Sequence, residues 1–432
     1  MDKFYHSVTL DKNSCVGCTN CIKRCPTEAI RVRDGKAVIT SERCIDCGEC
    51  IRVCPHHAKK ARFDHLDVIN KFKYKIALPP PSLYGQFNNL DDMDYVLTGL
   101  KKLGFDEVYE VASAAELVSE VTRKLMESGK LLKPVISSAC PAVVRLIRVR
   151  FPDLCDHVLP LYSPMEFAAM QAKKEAAKKT GLNESEIGCF FITPCPAKVS
   201  DIMAPISVEK SAVDGAIAIS EIFPVLSGKM DKLTSLEPLS RSGIIGVGWA
   251  ASGGESSALL NEKYLAADGI ENVIRVLEEI EDERIGELDF IELNACTGGC
   301  VGGILCVENP FIAKARLQRL RKYLPVSQNH LNNSGIALGD MTWEQNLEFS
   351  DVLTLSKNLS EAMQMMGAID KIVGDLPGLD CGACGSPSCR AFAEDVVRGF
   401  CKKTDCVFVL RAKMKEVADT ISRLDDDLEA GL

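Results

Sequence analysis

The sequence predicts an α/β chain with parallel sheets, bracketed by two small cysteine-rich modules, and three observations predict it. Apolar runs alternate with charged, amphipathic stretches from about residue 74 onward, two equally spaced cysteine runs precede them, and a further cysteine set follows near the C-terminus. The 432 residues, 20 of them cysteine, leave room for several domains and at least one large core. The N-terminal stretch MDKFYHSVTLDKNSC lacks the apolar run of a secretory signal, and no uninterrupted apolar run is long enough to span a bilayer, so a soluble cytoplasmic protein is expected. The cytosol keeps thiols reduced, so clustered cysteines there point to metal rather than to disulfides. A formal net charge of −9 gives no support to nucleic-acid binding, and the basic segment HHAKKAR reads as a solvated loop. The expected boundaries are a first module over 1–65, the α/β region over 66–325, a helical linker over 326–375 and a last module over 376–432.

In the first module, Cys15, Cys18, Cys21 and Cys25-Pro26 follow the spacing C-x2-C-x2-C-x3-C-P, and Cys44, Cys47, Cys50 and Cys54-Pro55 repeat it 29 residues later. This resembles the bacterial ferredoxin pattern, in which a tight loop gives three thiolates to one 4Fe-4S cube and the fourth cysteine reaches the other. The resemblance implies one cube on Cys15, Cys18, Cys21 and Cys54 and a second on Cys44, Cys47, Cys50 and Cys25. A zinc site would use cysteines as two pairs, which suits triple-cysteine runs poorly. Such a ferredoxin-like module carries electrons and offers no substrate position.

In the central region the apolar runs are YKIAL at 74–78, PVISS at 134–138, CFFIT at 189–193, GIIGVGW at 243–249 and LDFIEL at 288–293, each read as a strand. Loops of small residues follow most of them: PPPS, SACPA, PCPAK, AASGGES and NACTGGC. Ligands in such folds gather beyond the carboxyl ends of strands, where helix N-termini face the crevice. Cys140, Cys195, Cys296 and Cys300 are therefore expected to meet there. Taken singly, Cys140 and Cys195 read as buried small residues; with Cys296-x3-Cys300 they make four thiolates, the number a cube requires.

The segments SSACPA (137–142), TPCPAK (193–198) and NACTGGCVGG (294–303) resemble the three signature loops of the FeFe-hydrogenases, in that family's order and spacing. ALPPPS at 77–82, Ser163-Pro164 and AASGGES at 250–256 resemble further family loops, and the likeness covers about 1–325. It implies a two-lobed catalytic domain in which Cys140, Cys195, Cys296 and Cys300 hold the 4Fe-4S part of an H-cluster. Cys300 is then the bridge to a two-iron subsite carrying CO, cyanide and azadithiolate ligands. Lys198 matches the family lysine that donates to a cyanide, since a buried ammonium needs an anionic partner. The implied reaction is the heterolytic splitting of H2 and its reverse, with protons moving through the protein and electrons through the cubes.

Several positions depart from the family pattern. Ala139 stands where the catalytic members carry a proton-relaying cysteine, and a methyl group cannot relay a proton. Losing a positioned acid-base group costs about 10² to 10⁴ in rate. Thr193 and Asn294 replace two methionines expected round the subsite, which makes that pocket more polar and shifts cluster potential. The outer proton-route glutamates map onto Thr122 and Leu125. Among Glu116, Glu120, Glu166, Glu255 and Glu292, read mostly as helix-surface charges, Glu255 is singled out because it follows a glycine turn. The third loop ends GGILCVENP, with Cys306 a spare thiol. These changes resemble the divergent sensory members of the family, so slow turnover and a reporting role are expected.

Residues 341–374 have apolar positions at helical spacing and predict one or two amphipathic helices. Beyond them Cys381, Cys384, Cys389 and Cys406 have the spacing C-x2-C-x4-C-x16-C, which resembles a small 4Fe-4S domain; zinc is the alternative and Cys401 a competing fourth ligand. Cys155 and Cys189 read as core thiols. The expected partners are H2 and protons, a ferredoxin-like or signalling redox protein, hydrogenase maturation proteins and a second copy in a homodimer, without nucleic acid or membrane. A non-catalytic iron-sulfur protein of the cluster-assembly kind, without the two-iron subsite, is the second reading. A plain multi-cube carrier leaves three converging loops unexplained.

Overall fold

The computed structural model describes residues 6–430. Its chain divides into two compact units: one holds Ala61–Ser350 with Ile45–Gly48 and the N-terminal residues to Thr9, and the other holds Leu10–Cys44, Glu49–Lys60 and the chain from Asp351.

The larger unit is built on two parallel sheets. Its strands are β1 (Tyr74–Leu78), β2 (Glu107–Val108), β3 (Val135–Ile136), β4 (Ile187–Thr193), β5 (Gly215–Ala218), β6 (Tyr264–Asp268) and β7 (Phe290–Asn294). The four-stranded sheet has the order β2-β1-β4-β5 and the three-stranded sheet the order β6-β7-β3. Tyr74 pairs with Ile187 and Leu78 with Phe191, while Phe290 faces both Tyr264 and Val135. Every residue of β4 is buried, as expected of a central parallel strand covered on both faces. Ile76, Leu78, Val118, Phe167 and Phe191 pack on one side of the four-stranded sheet, and Ala77, Leu97, Phe190, Ile192 and Leu226 on the other. Ile136, Val143, Ile147, Val273 and Ile291 fill the core of the three-stranded sheet.

One expected strand is helical. GIIGVGW contains the short helix Ile244–Gly248, because Glu116 takes the amide of Gly243 at 2.6 Å and Pro325 O takes that of Ile244 at 2.8 Å. Gly246 sits so close to Ala112 O that a Cβ would collide with it. The linker also differs: its helix is Leu359–Gly374, capped by Asn358, whereas Met341 and Trp343 pack into the cores of the larger unit. Burial of these two anchors, with Tyr162 N bonded to Met341 O, holds the chain in irregular form there.

The smaller unit joins the cysteine repeat to the C-terminal module. The antiparallel pair Ile30–Arg33 and Lys36–Ile39 presents Arg31 and Arg33, both 2.7 Å from the buried Asp395 carboxylate. Arg43 pairs with Glu394 at 2.8 Å, and Val32 N donates to Gly385 O at 2.7 Å. Asp395 is buried with two guanidiniums and the Ser386 hydroxyl as donors, so its charge is compensated. The helix Val407–Ala430 exposes Leu410, Met414, Val417, Ile421 and Leu424, spaced 4-3-4-3. Among the described residues no helix is long and apolar enough to cross a membrane.

Candidate functional site

Three of the strands in the larger unit run directly into cysteine loops. β3 leads to Cys140, β4 to Cys195 and β7 to Cys296, so the loops leave the carboxyl ends of both sheets. Cys140 and Cys195 occupy the cap positions of the helices Pro141–Arg150 and Pro196–Met203, each with proline in its first turn. Amides at such helix starts favour an anionic centre. Gly298 and Gly299 have φ of +84° and +87°, and a Cβ at Gly299 would strike Ser252 N and Ala251. Only glycine lets this loop turn against the Ala250–Ser252 segment and present Cys300.

Burial pushes the Cys195 thiol up to about 12 and the Cys300 thiol up to about 11, each raised further by Cys140 and relieved in part by Lys198. Thiols so disfavoured as free thiolates suit a metal centre, which displaces the proton and supplies the missing positive charge. Cys140, Cys195 and Cys300 lie close enough to feel one another's charge, and three such thiols fit a shared metal centre.

Cys300 opens onto a cavity of about 60 Å³ that Ala139, Lys198, Glu255, Glu292, Asn294, Met165 and Phe191 also line. Lys198 is 8% exposed; its Nζ donates to Ala139 O at 3.3 Å and lies 5.9 Å from the Phe191 ring. Its charge is felt by the buried carboxyls of Glu255 and Asp201, and at the cavity wall this cation also suits an anionic ligand. Glu255 Oε2 accepts from Ser137 Oγ at 2.6 Å, and that hydroxyl accepts from Ala139 N at 3.1 Å. Burial, then the neighbouring Glu292, raises the Glu255 carboxyl to about 8. Glu292 is also raised by burial, but Gly253 N, Ser256 N and Asn294 Nδ2 donate to it at 2.9 to 3.0 Å.

The other glutamates are structural, and they are not ordinary surface charges. Glu116 accepts from Gly243 N, Gln328 N and Asn329, and Glu166 from Ser211 Oγ and Ala212 N, so both clamp buried backbone. Glu120 accepts from Leu331 N and pairs with Lys124. Thr122 bonds to Val118 O within its own helix. Ser163 caps the helix Pro164–Thr180, and it is Pro164 and Met165 that line the cavity. Thr193 does not line it, because its hydroxyl bonds to Cys195 O at 2.8 Å; only Asn294 of the two polar replacements adds polarity there. Cys306 bonds through its thiol to Cys300 O, and Cys155 and Cys189 are buried. Glu292 carries the least sequence signal of the cavity residues, since it lies in the middle of a mostly apolar strand and its role comes from its distant neighbour Glu255.

Within the same unit, Cys47 packs in one apolar cluster with Cys140 and Cys195, and Asp46 holds its segment by accepting from Ser7 N, Val8 N and Ser200 Oγ. In the smaller unit Cys15, Cys18, Cys21 and Cys54 line one cavity of about 20 Å³. Cys381, Cys384, Cys389 and Cys406 line another of about 20 Å³, and Cys401 instead directs its thiol at Phe392 O. Gly382 approaches Ile22, next to Cys21, so these two cysteine sets adjoin within the unit.

The family model of the iron-only hydrogenase large subunit, C-terminal domain, matches residues 73–304. A 4Fe-4S dicluster domain matches residues 7–55 and an Fe-S cluster domain residues 376–408. Iron hydrogenase 1 of Clostridium pasteurianum is 23% identical over 70% of this chain, which spans 65% of that protein. The periplasmic [Fe] hydrogenase large subunit of Nitratidesulfovibrio vulgaris is 26% identical over 69% of this chain and 86% of its own. A solved [FeFe]-hydrogenase HydA1 variant from Chlamydomonas reinhardtii aligns with a TM-score of 0.47 at 17% identity, covering 61% of this chain and 88% of that one.

Proposed function

Because the chain belongs to the iron-only hydrogenase large-subunit family, an oxidoreductase family with iron-sulfur cofactors, we propose that it holds an H-cluster, interconverts H2 and protons slowly, and reports hydrogen or redox state to a partner. The observation that carries this reading is the shared cavity: Ala139, Lys198, Glu255, Glu292 and Cys300 line the same space. In this reading Cys140, Cys195, Cys296 and Cys300 would hold the cube, and Cys300, which lines the cavity, would face the two-iron subsite. That subsite, when bound, supplies the chemistry of splitting hydrogen.

The chain's own residues divide the remaining work. Lys198 anchors an anionic ligand by a charge-assisted hydrogen bond. Ala139 supplies no acid or base, so proton traffic falls to Glu255, whose carboxyl is raised into the range where it exchanges protons at neutral pH. Glu292, held by three donors, is the fixed acceptor whose charge lifts its neighbour. Ser137 donates to Glu255 while accepting from the Ala139 amide, which holds the carboxyl in place beside the cavity. Apolar Phe191, Met165 and Trp249 keep the cavity dry, which strengthens each of these interactions.

Cys47 belongs to the same apolar cluster as Cys140 and Cys195, so its thiolate, holding a cube, would be placed to exchange electrons with a cluster on those cysteines. The approach of Gly382 to Ile22 supports a further step from the Cys15 set to a C-terminal cube, the port to a ferredoxin-like or signalling partner. The 4-3 spacing along Val407–Ala430, with β-branched Ile421 followed three residues on by Leu424, supports self-association as a coiled coil.

The test is an infrared spectrum of protein loaded with the two-iron subsite, recorded under hydrogen and then argon. CO and cyanide bands that change with the gas are expected. No bands after verified loading would overturn the reading in favour of a cube-only iron-sulfur protein.

A further inference from the structure

The two cysteine runs of the smaller unit are local copies of each other. Ala29 N donates to Cys25 Sγ at 3.2 Å, and Ala58 N donates to Cys54 Sγ at 3.3 Å, four residues on in each repeat. The next residue is equally buried in both, at 2% exposed, yet it is Ile30 in the first copy and Lys59 in the second. An apolar position of the motif has been filled by an ammonium.

That ammonium has no hydrogen-bond partner. A buried, unpaired cation costs several kcal/mol unless an opposite charge lies close. Lys59 lines the cavity of Cys15, Cys18, Cys21 and Cys54, and its charge is felt at the Cys21 and Cys54 sulfurs. Lys36, which reaches this loop from the strand Lys36–Ile39, is already bonded to Cys15 O at 2.6 Å. The compensating charge is thus the cavity's occupant. A cube on four thiolates is an anion, and it gains one more negative charge on reduction. A fixed positive charge nearby favours the reduced form.

We propose that Lys59 is a potential-setting residue: it pairs electrostatically with the cube on Cys15, Cys18, Cys21 and Cys54 and raises that cube's reduction potential above that of its repeat twin. This rests on the reading that these cysteines hold a cube. The internal repeat then makes two chemically equal cubes unequal, and an electron rests on the one beside Lys59, the set that adjoins the C-terminal module.

The experiment is an EPR-monitored redox titration of the full chain carrying its cubes, with iron and sulfide counted first. Wild type, Lys59→Met, Lys59→Arg and Ile30→Lys are compared. Lys59→Met should keep its iron while one reduced-cube signal moves to a more negative potential, and Lys59→Arg should stay near wild type. Ile30→Lys should move a different signal to more positive potential, closing the gap between the twins. Full iron content with an unmoved titration in Lys59→Met overturns the proposal and leaves the cube assignment standing. If Lys59→Met loses iron, Ile30→Lys decides, and no positive shift there overturns it. Wild-type iron too low to fill this cavity would instead overturn the cube reading.

Discussion

The Ser137 hydroxyl lies 2.6 Å from Glu255 Oε2 and 3.1 Å from the amide of Ala139, so the position without a relay thiol is hydrogen-bonded through one side chain to a buried carboxyl. Glu255→Gln keeps the shape and removes the exchangeable carboxyl proton. Hydrogen turnover of the loaded protein should fall by about 10² to 10⁴, with the CO and cyanide bands retained. Gas-exchange mass spectrometry with deuterium checks it; unchanged exchange would mean that protons travel elsewhere.

The same carboxyl makes stability depend on pH. Its folded value, about 8, lies above the ordinary 4.5, so the folded chain holds this proton more tightly than the unfolded chain does. The resulting stabilisation is complete below 4.5 and is lost as pH rises through the folded value. Thermal melts across that window should show wild type losing more stability with rising pH than Glu255→Gln. Parallel pH profiles for the two proteins would count against a raised carboxyl.

Lys198→Met removes the buried cation while filling its space. Retention of the two-iron subsite should drop by about 10- to 100-fold, the usual loss when a supporting contact of a metal site is removed. The cube iron should be unaffected. Band intensity per protein in the infrared spectrum, set against total iron, measures both.

In the C-terminal module the cavity is lined by Cys406 and not by Cys401. Cys406→Ser should lower the iron content by one cube or leave a labile one, whereas Cys401→Ser should keep the full count. Iron and sulfide analysis of anaerobically purified protein distinguishes them. Loss of iron in the second variant alone would reassign the fourth ligand.

Ile421 and Leu424 are exposed on the C-terminal helix, in step with Leu410, Met414 and Val417. An Ile421→Lys change places a charge in the apolar seam and should shift the protein towards monomer in light scattering, with iron content unchanged. Identical mass for both proteins would exclude this helix as a self-association surface.

What the sequence determined by itself was the local chemistry. Cysteine spacing sets which thiolates share a tight loop, and apolar runs such as YKIAL and CFFIT become central strands because burial on both faces asks nothing of distant residues. The placement of Cys140, Cys195 and Cys296 just beyond strand ends was legible in the same way. Tertiary structure decided everything that depends on a distant partner. Glu116 and Glu255 look alike in sequence, yet one clamps the backbone around Gly243 and Gln328 while the other meets Ser137 across 118 residues. GIIGVGW reads as a strand, but close packing of Gly246 on Ala112 and capture of its amides make it a helix. Lys59 sits in a segment that reads as a solvated loop, and only folding buries it beside four cysteines. Burial and hydrogen-bond pairing set the chemistry of an ionisable side chain, and both are properties of its neighbours in space.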